Sequence, residues 1–212
     1  MILKLNAWLL AFLLSLDRHI LKLLSYIERV KLIMFYNRVL AFFRRIFWSY
    51  ERQAKQAGVT MGEYNFIASR FWSTEPYLIR IGSHCQITNG VKFYTHGGAG
   101  AVRKKYPDFD TFGRIVIGDY VYIGNNAMLM PGVTVGDNVL IAAGSIVTKS
   151  IPSNVVVAGN PAKFICSIEE YTERNLKYNT STKGMSQKEK KHILLNMNEE
   201  KFITKDYIKN VR

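Results

Sequence analysis

An aliphatic residue recurs at every sixth position through the middle of the chain, six times without a break. The six residues are Ile117, Ile123, Leu129, Val135, Ile141 and Val147. Glycine or alanine follows four of them. A period of six fits neither an α-helix nor a single β-strand. It is typical of a chain wound into a triangular coil, in which the aliphatic residue points inward and the small residue permits the corner.

The same spacing continues upstream of this run. Ile81, Ile87 and Phe93 are also six apart, and the 36 positions from Ile81 to Ile117 are a multiple of six. The pattern predicts about four stacked coils of about 18 residues, with excursions near residues 70–78 and 97–113. Stacked coils bury a continuous aliphatic column that one coil cannot form alone.

Composition divides the chain into three parts. Residues 1–54 are apolar and basic and contain no proline or glycine, which predicts a helical segment. Residues 55–165 hold all five prolines and the repeats, and form the predicted coil domain. Residues 166–212 are polar and rich in Lys and Glu, which predicts a helical tail.

The charge of the chain predicts an acidic partner. There are 29 Lys and Arg against 16 Asp and Glu, a net charge of +13. We expect an anionic membrane or a phosphorylated ligand rather than nucleic acid, because no nucleic-acid-binding motif is present and a coil of strands offers no reading helix. Cys85 and Cys166 fit neither a disulfide framework nor a metal site, which favours a reducing compartment.

The N-terminal segment combines apolar and basic residues. Its longest apolar run, Leu5 to Leu16, is 12 residues long, whereas a membrane-spanning helix needs about 20. Lys31, Arg38 and Arg45 are seven apart and share one face of a helix. This pattern predicts a basic amphipathic helix at an anionic membrane surface, made by residues 1–50. The alternative is a helical cap packed against the coils or against partner subunits.

Histidine supplies the candidate chemistry. His96 follows the inward Phe93 and begins the excursion at residues 97–113. A neutral imidazole at such a corner can accept a proton from a substrate hydroxyl. A lone histidine is also commonly structural, so the spacing leaves both interpretations open. His84, at another corner, is interpreted as a turn residue.

Three segments and the ending Ala-Gly-Asn-Pro-Ala-Lys carry a family resemblance. They are Gly-Asp-Tyr-Val-Tyr-Ile-Gly-Asn-Asn at 118–126, Met-Pro-Gly-Val-Thr-Val-Gly-Asp-Asn at 130–138 and Ala-Gly-Ser-Ile-Val-Thr-Lys-Ser-Ile-Pro at 143–152. Over residues 59–166 the chain resembles the hexapeptide-repeat acyltransferases, which include galactoside, maltose and xenobiotic acetyltransferases and O-acetyltransferases of bacterial surface polysaccharides.

The resemblance implies a fold, an assembly and a reaction. The fold is mainly β, a left-handed parallel β-helix of about four coils with helices at both ends, assembled as a homotrimer with active sites between neighbouring chains. His96 stands where the family has its catalytic base. The implied reaction is direct acyl transfer, in which His96 deprotonates the acceptor hydroxyl and the oxygen attacks the thioester of acetyl-CoA.

The resemblance also implies binding residues. Acyl-CoA contacts carry over to Asn125, Ala143, Thr148, Lys149 and Lys163, although a turn and solvated charges would equally explain the last three. Some relatives have an arginine where this chain has Cys166, which leaves the phosphate contacts open. Glu63, Tyr64 and Asn65 are the acceptor-site candidates.

The predicted function is an acetyl-CoA-dependent O-acetyltransferase for a sugar or glycan, held at the cytoplasmic face of the plasma membrane. One alternative is an acetyltransferase for a small non-glycan acceptor, either an antibiotic or an amino acid. Another is a non-catalytic β-helix scaffold. A γ-class carbonic anhydrase needs three His ligands to zinc; the coil region has only His84 and His96, so no metal is expected.

Overall fold

The computed structural model describes residues 26–27, 29–43 and 46–207. The chain divides into two compact units, Met1–Gln53 and Ala54–Arg212. The apolar run from Leu5 to Leu16 and the basic residue Arg45 lie outside the described residues.

In the first unit, residues 26–27 and 29–43 are helical, as predicted. Large apolar side chains on this helix are exposed, among them Leu32, Phe35 and Phe42. No helix in the described part of the chain is both long and apolar enough to cross a bilayer. Whether this helix binds a membrane or packs against protein stays a prediction.

Helix α1 (Tyr50–Ala57) leads into a series of very short strands. The strands are β1 (Thr60–Met61), β2 (Phe66–Ile67), β3 (Ile79–Ile81), β4 (Gln86–Ile87), β5 (Lys92–Phe93), β6 (Ile115–Ile117), β7 (Tyr122–Ile123), β8 (Met128–Leu129), β9 (Thr134–Val135), β10 (Leu140–Ile141), β11 (Ile146–Val147), β12 (Val155–Ala158) and β13 (Lys163–Ser167).

Strands of successive coils pair in parallel, which gives three sheets around one core. The first sheet has the order β1-β3-β6-β9, the second β2-β4-β7-β10-β12 and the third β5-β8-β11. Strand β13 closes the second sheet by running antiparallel to β12. The chain therefore passes from the first to the second to the third sheet in each turn, as in the predicted triangular coil.

The sixfold aliphatic pattern is the core of this unit. In the three sheets Ile117 pairs with Val135, Ile123 with Ile141, and Leu129 with Val147. All six side chains are at most 2% exposed. Burying one such side chain stabilises the fold by roughly 1.5–3 kcal/mol, so the column supplies much of the driving force for stacking.

The corner between the first and second sheets repeats one backbone conformation in successive coils. Tyr64, His84 and Tyr120 have φ of 58°, 58° and 57°. Their rings stack, with centroids 5.0 Å apart for Tyr64 and His84 and 4.6 Å for His84 and Tyr120. His84 is therefore a turn residue, as predicted. At this corner a Cβ on Gly82 would lie 2.6 Å from the Gly118 carbonyl oxygen, which explains the glycine.

Two helices with capping boxes follow the β-helix. Helix α2 (Ile168–Leu176) begins with Ser167 and Glu170 capping each other's backbone, and α3 (Gln187–Leu195) repeats the arrangement with Ser186 and Glu189. Each box satisfies amide groups that a helix start leaves unpaired. The predicted C-terminal helices are therefore present.

Candidate active site

His96 stands at the base of the excursion at residues 97–113. It forms an antiparallel bridge with Phe112, and the Gly113 amide donates to the Thr95 carbonyl at 2.8 Å. The excursion thus leaves the β-helix and rejoins it at one corner, between the third and first sheets. The imidazole is held at the root of the loop rather than at its tip.

A carboxylate contacts the imidazole. Nδ1 of His96 lies 3.0 Å from Oε2 of Glu75. Glu75 precedes the 3₁₀-helix Pro76–Leu78, in the predicted excursion near residues 70–78 at the same corner. The Glu75 side chain is 17% exposed and that of His96 42%, so the acid is the more enclosed partner.

Two hydroxyl groups hold Glu75 ionised. The Thr74 hydroxyl donates to Oε1 at 2.6 Å and the Thr95 hydroxyl to Oε2 at 2.7 Å. The hydrogen bond from Thr74, then those from His96 and Thr95, lower the pKa of Glu75 from 4.5 to about 2. An ionised carboxylate at Nδ1 keeps a proton on that nitrogen and leaves Nε2 as the acceptor. Within the described part of the chain, Nε2 has no hydrogen-bond partner.

A cleft of about 470 Å³ opens beside His96. Its lining residues are Arg70, Phe71, Trp72, Ser73, Thr74, Lys92, Phe93, Tyr94 and His96. Trp72 is buried and stacks on Phe93, with ring centroids 5.0 Å apart. A small organic molecule can therefore enter next to a group able to accept its proton.

The predicted acyl-CoA residues lie at two corners and on the last strand. Asn125 and Ala143 are exposed at the corner between the second and third sheets, one coil apart. Thr148 and Lys149 are exposed at the corner between the third and first sheets, and Lys163 begins β13. Their role stays a prediction.

Lys149 lines a second cavity at the end of the β-helix. This cavity has a volume of about 230 Å³, and its walls include Pro152 and Phe164. It lies at the corner that also carries His96, two coils further along. The two cavities therefore occupy the same edge of the β-helix.

The predicted acceptor residues lie at the corner between the first and second sheets. Asn65 serves the backbone there: its amide donates to the Gly82 carbonyl at 2.9 Å and accepts from the Cys85 N–H at 2.7 Å. Tyr64 belongs to the ring stack, and the Glu63 amide bonds Ser83. In one chain these residues stand at a different corner from His96, and their acceptor role stays a prediction.

Sequence reasoning missed Glu75, although a signal was available. The two excursions both end at a strand of the first sheet, β3 or β6, so both leave the β-helix at one corner. An acid in the earlier excursion is therefore brought towards a base in the later one.

The described residues contain no group of three or more His, Cys, Asp or Glu side chains that could hold a metal ion. The chemistry on view is that of an imidazole, a carboxylate and two hydroxyl groups beside a cleft. These groups fit a transferase that uses a general base and is built on a hexapeptide-repeat β-helix.

Comparison with known proteins identifies the family. Residues 114–149 match the model of the bacterial transferase hexapeptide (six repeats). Protein CapG of Staphylococcus aureus is 47% identical over 150 residues, which are 69% of this chain and 87% of CapG. The chain therefore belongs to the bacterial hexapeptide-repeat transferase family. The predicted left-handed parallel β-helix and the acyltransferase class are confirmed.

Other relatives have named activities. Chloramphenicol acetyltransferase of Agrobacterium fabrum is 30% identical over 146 residues, 54% of this chain and 70% of that protein. Galactoside O-acetyltransferase of Escherichia coli is 55% identical over 56 residues, 26% of this chain and 28% of that protein. A solved galactoside acetyltransferase in complex with coenzyme A is 30% identical with a TM-score of 0.49, covering 58% of this chain and 72% of its own.

Proposed function

We propose that the protein is an acetyl-CoA-dependent O-acetyltransferase that acts on a sugar or glycan hydroxyl. The observation that carries the proposal is the 3.0 Å contact between His96 Nδ1 and Glu75 beside the cleft. It orients the imidazole and leaves Nε2 to act as a base. The galactoside O-acetyltransferase among the relatives supports the acetyl group and the sugar acceptor class.

The proposed reaction is direct transfer. His96 Nε2 takes the proton of the acceptor hydroxyl while the oxygen attacks the thioester carbonyl carbon. Glu75 stabilises the imidazolium that forms, and a backbone N–H stabilises the tetrahedral oxyanion. When the C–S bond breaks, the sulfur of CoA takes the proton from His96, which restores the neutral base.

We further propose that the enzyme works as a homotrimer. Asn125 and Ala143 stand at one corner, whereas His96, Thr148 and Lys149 stand at another. A single groove for acyl-CoA that uses both sets needs the corners of two copies. The trimer supplies three such grooves, and the mass in solution, measured by light scattering, tests it: three chains are expected, and a monomer would contradict it.

Membrane association remains part of the proposal. The helix at residues 29–43 exposes Leu32 and Phe35 alongside the basic residues Lys31 and Arg38. Apolar and cationic side chains together favour the surface of an anionic bilayer. We place the protein at the cytoplasmic face of the plasma membrane, where acetyl-CoA and membrane-delivered sugars meet.

The acceptor class can be tested directly. The chloramphenicol acetyltransferase relative favours a second candidate, a small non-glycan acceptor. The experiment measures thiol release from acetyl-CoA with galactosides, chloramphenicol and serine offered in parallel. We expect turnover with the sugar. Turnover with chloramphenicol or serine, but not with the sugar, would replace the glycan proposal. No turnover with any acceptor would favour the non-catalytic β-helix scaffold.

A further inference from the structure

Two basic residues line the cleft beside His96. Lys92 and Arg70 line it together with the aromatic rings of Phe71 and Tyr94. Lys92 alternates with the inward Phe93 in β5, so its side chain projects outward from the sheet. Among the described residues that line the cleft, none is Asp or Glu.

The charge of Lys92 is available to a ligand. Its Nζ lies 5.7 Å from the centroid of the Phe71 ring. No carboxylate of a described residue forms an ion pair with it. The carboxylate of Glu75 is held by His96 and two threonine hydroxyls. A cation in a cleft lined by aromatic rings attracts an anion more strongly than it would in open water.

We propose that the acceptor sugar carries an anionic group, a carboxylate or a phosphate, which Lys92 and Arg70 bind in this cleft. Phe71 and Tyr94 then pack against the apolar face of the sugar ring, and the hydroxyl to be acylated faces Nε2 of His96. This inference rests on the proposed function and narrows it from sugars in general to acidic sugars. A neutral sugar would leave the Lys92 ammonium group in this cleft without a counter-charge.

The phosphates of coenzyme A are the competing source of negative charge. The candidate residues for them are Lys149, which follows β11 two strands from β5 in the third sheet, and Lys163, which begins β13 in the second sheet. Loss of Lys92 should therefore leave the KM for acetyl-CoA unchanged. A raised KM for acetyl-CoA in the Lys92 variant would show that Lys92 belongs to the donor site and would overturn the inference.

The test uses three matched acceptors: methyl galactoside, methyl galacturonide and galactose 6-phosphate. We expect kcat/KM for at least one charged acceptor to exceed that of the neutral sugar about tenfold or more, the effect of one charge-assisted hydrogen bond. Lys92→Gln should remove most of this preference through KM, Lys92→Arg should retain it, and Arg70→Lys should reduce it. Lys188→Gln, on exposed α3, is the control for loss of a surface charge.

Binding of the same three sugars, measured by ligand-observed NMR, separates this inference from the proposed function. Anion-dependent binding that Lys92→Gln removes, without acetylation of any sugar, would support the acidic-sugar site and refute the transferase proposal. Acetylation with equal kcat/KM for all three would keep the transferase and overturn the acidic-sugar site. The acidic-sugar site would also be overturned if none of the three sugars bound, or if Lys92→Gln weakened the binding of all three equally. The preferred charged sugar shows whether the group is a carboxylate or a phosphate.

Discussion

Glu75 and His96 lie 21 positions apart, in two separate excursions, and meet through a contact of 3.0 Å. The Glu75 carboxylate also accepts hydrogen bonds from the hydroxyls of Thr74 and Thr95, which fix its position beside the imidazole. Because these bonds lower the pKa of the carboxyl to about 2, the acid stays ionised and orients His96 rather than taking part in proton transfer itself. The oriented base therefore depends on both excursions, because Glu75 lies in the first and His96 stands at the start of the second.

Glu75→Gln should lower kcat with little change in KM. The amide is close in size, but it is neutral and no longer stabilises the imidazolium. We expect a loss of about tenfold or more, since general-base catalysis contributes about 10²–10⁴ in rate. Steady-state kinetics checks this, with Glu173→Gln on exposed α2 as the matched control. Wild-type kcat in Glu75→Gln would exclude the positioning role.

The lowered pKa of Glu75 predicts a pH-dependent contribution to stability. Because the pKa falls from 4.5 to about 2 on folding, the ionised carboxylate stabilises the fold above about pH 4.5. That contribution is lost as the pH falls from about 4.5 towards 2. Glutamine does not titrate, so the difference in unfolding free energy between wild type and Glu75→Gln should shrink over this range.

Urea denaturation of both proteins at pH 7, 5 and 3.5 measures this difference. The other acid with a lowered pKa, Glu189, is bonded by Ser186 and is present in both proteins, so its effect cancels. A difference that stays constant from pH 7 to pH 3.5 would show that Glu75 gains no stabilisation from its partners. The same lowered pKa implies that activity losses between pH 5 and 7 do not come from protonation of Glu75.

Gly82→Ala should destabilise the β-helix. The new Cβ would lie 2.6 Å from the Gly118 carbonyl oxygen in the next coil, so the coils must separate. We expect a loss of about 1–3 kcal/mol, seen as a lower midpoint of thermal unfolding. Gly98→Ala is the control, because a Cβ there meets nothing within 4 Å. Equal midpoints for the two variants would contradict close stacking at this corner.

Removal of two basic residues should weaken membrane binding. Lys31→Gln combined with Arg38→Gln should reduce partition onto vesicles rich in anionic lipid by about tenfold or more, at roughly 1 kcal/mol per residue near the surface. Vesicle flotation measures this, with Lys188→Gln combined with Lys190→Gln as the charge-matched control. Unchanged partition, or equal binding to zwitterionic vesicles, would favour a packing role for the helix.

The fold was predictable from local pattern, whereas the site was predictable only in part. The run from Ile117 to Val147 encodes the core because each coil repeats the same inward position. His96 could be predicted because it comes shortly after Phe93, the last inward residue of the sixfold pattern before the excursion. Glu75 lies off the period, and its contact depends on how two irregular excursions fold back, which spacing does not encode. Lys92 was hidden for another reason, since outward positions of short strands carry no pattern of their own.

Base catalysis by His96 is the central claim, and single-turnover thiol release from acetyl-CoA with a productive sugar acceptor tests it most directly. His96→Ala should still fold, because the side chain is 42% exposed and lies outside the buried core. Its rate should fall by about 10²–10⁴, the usual contribution of a general base. A rate within about twofold of wild type would contradict the account.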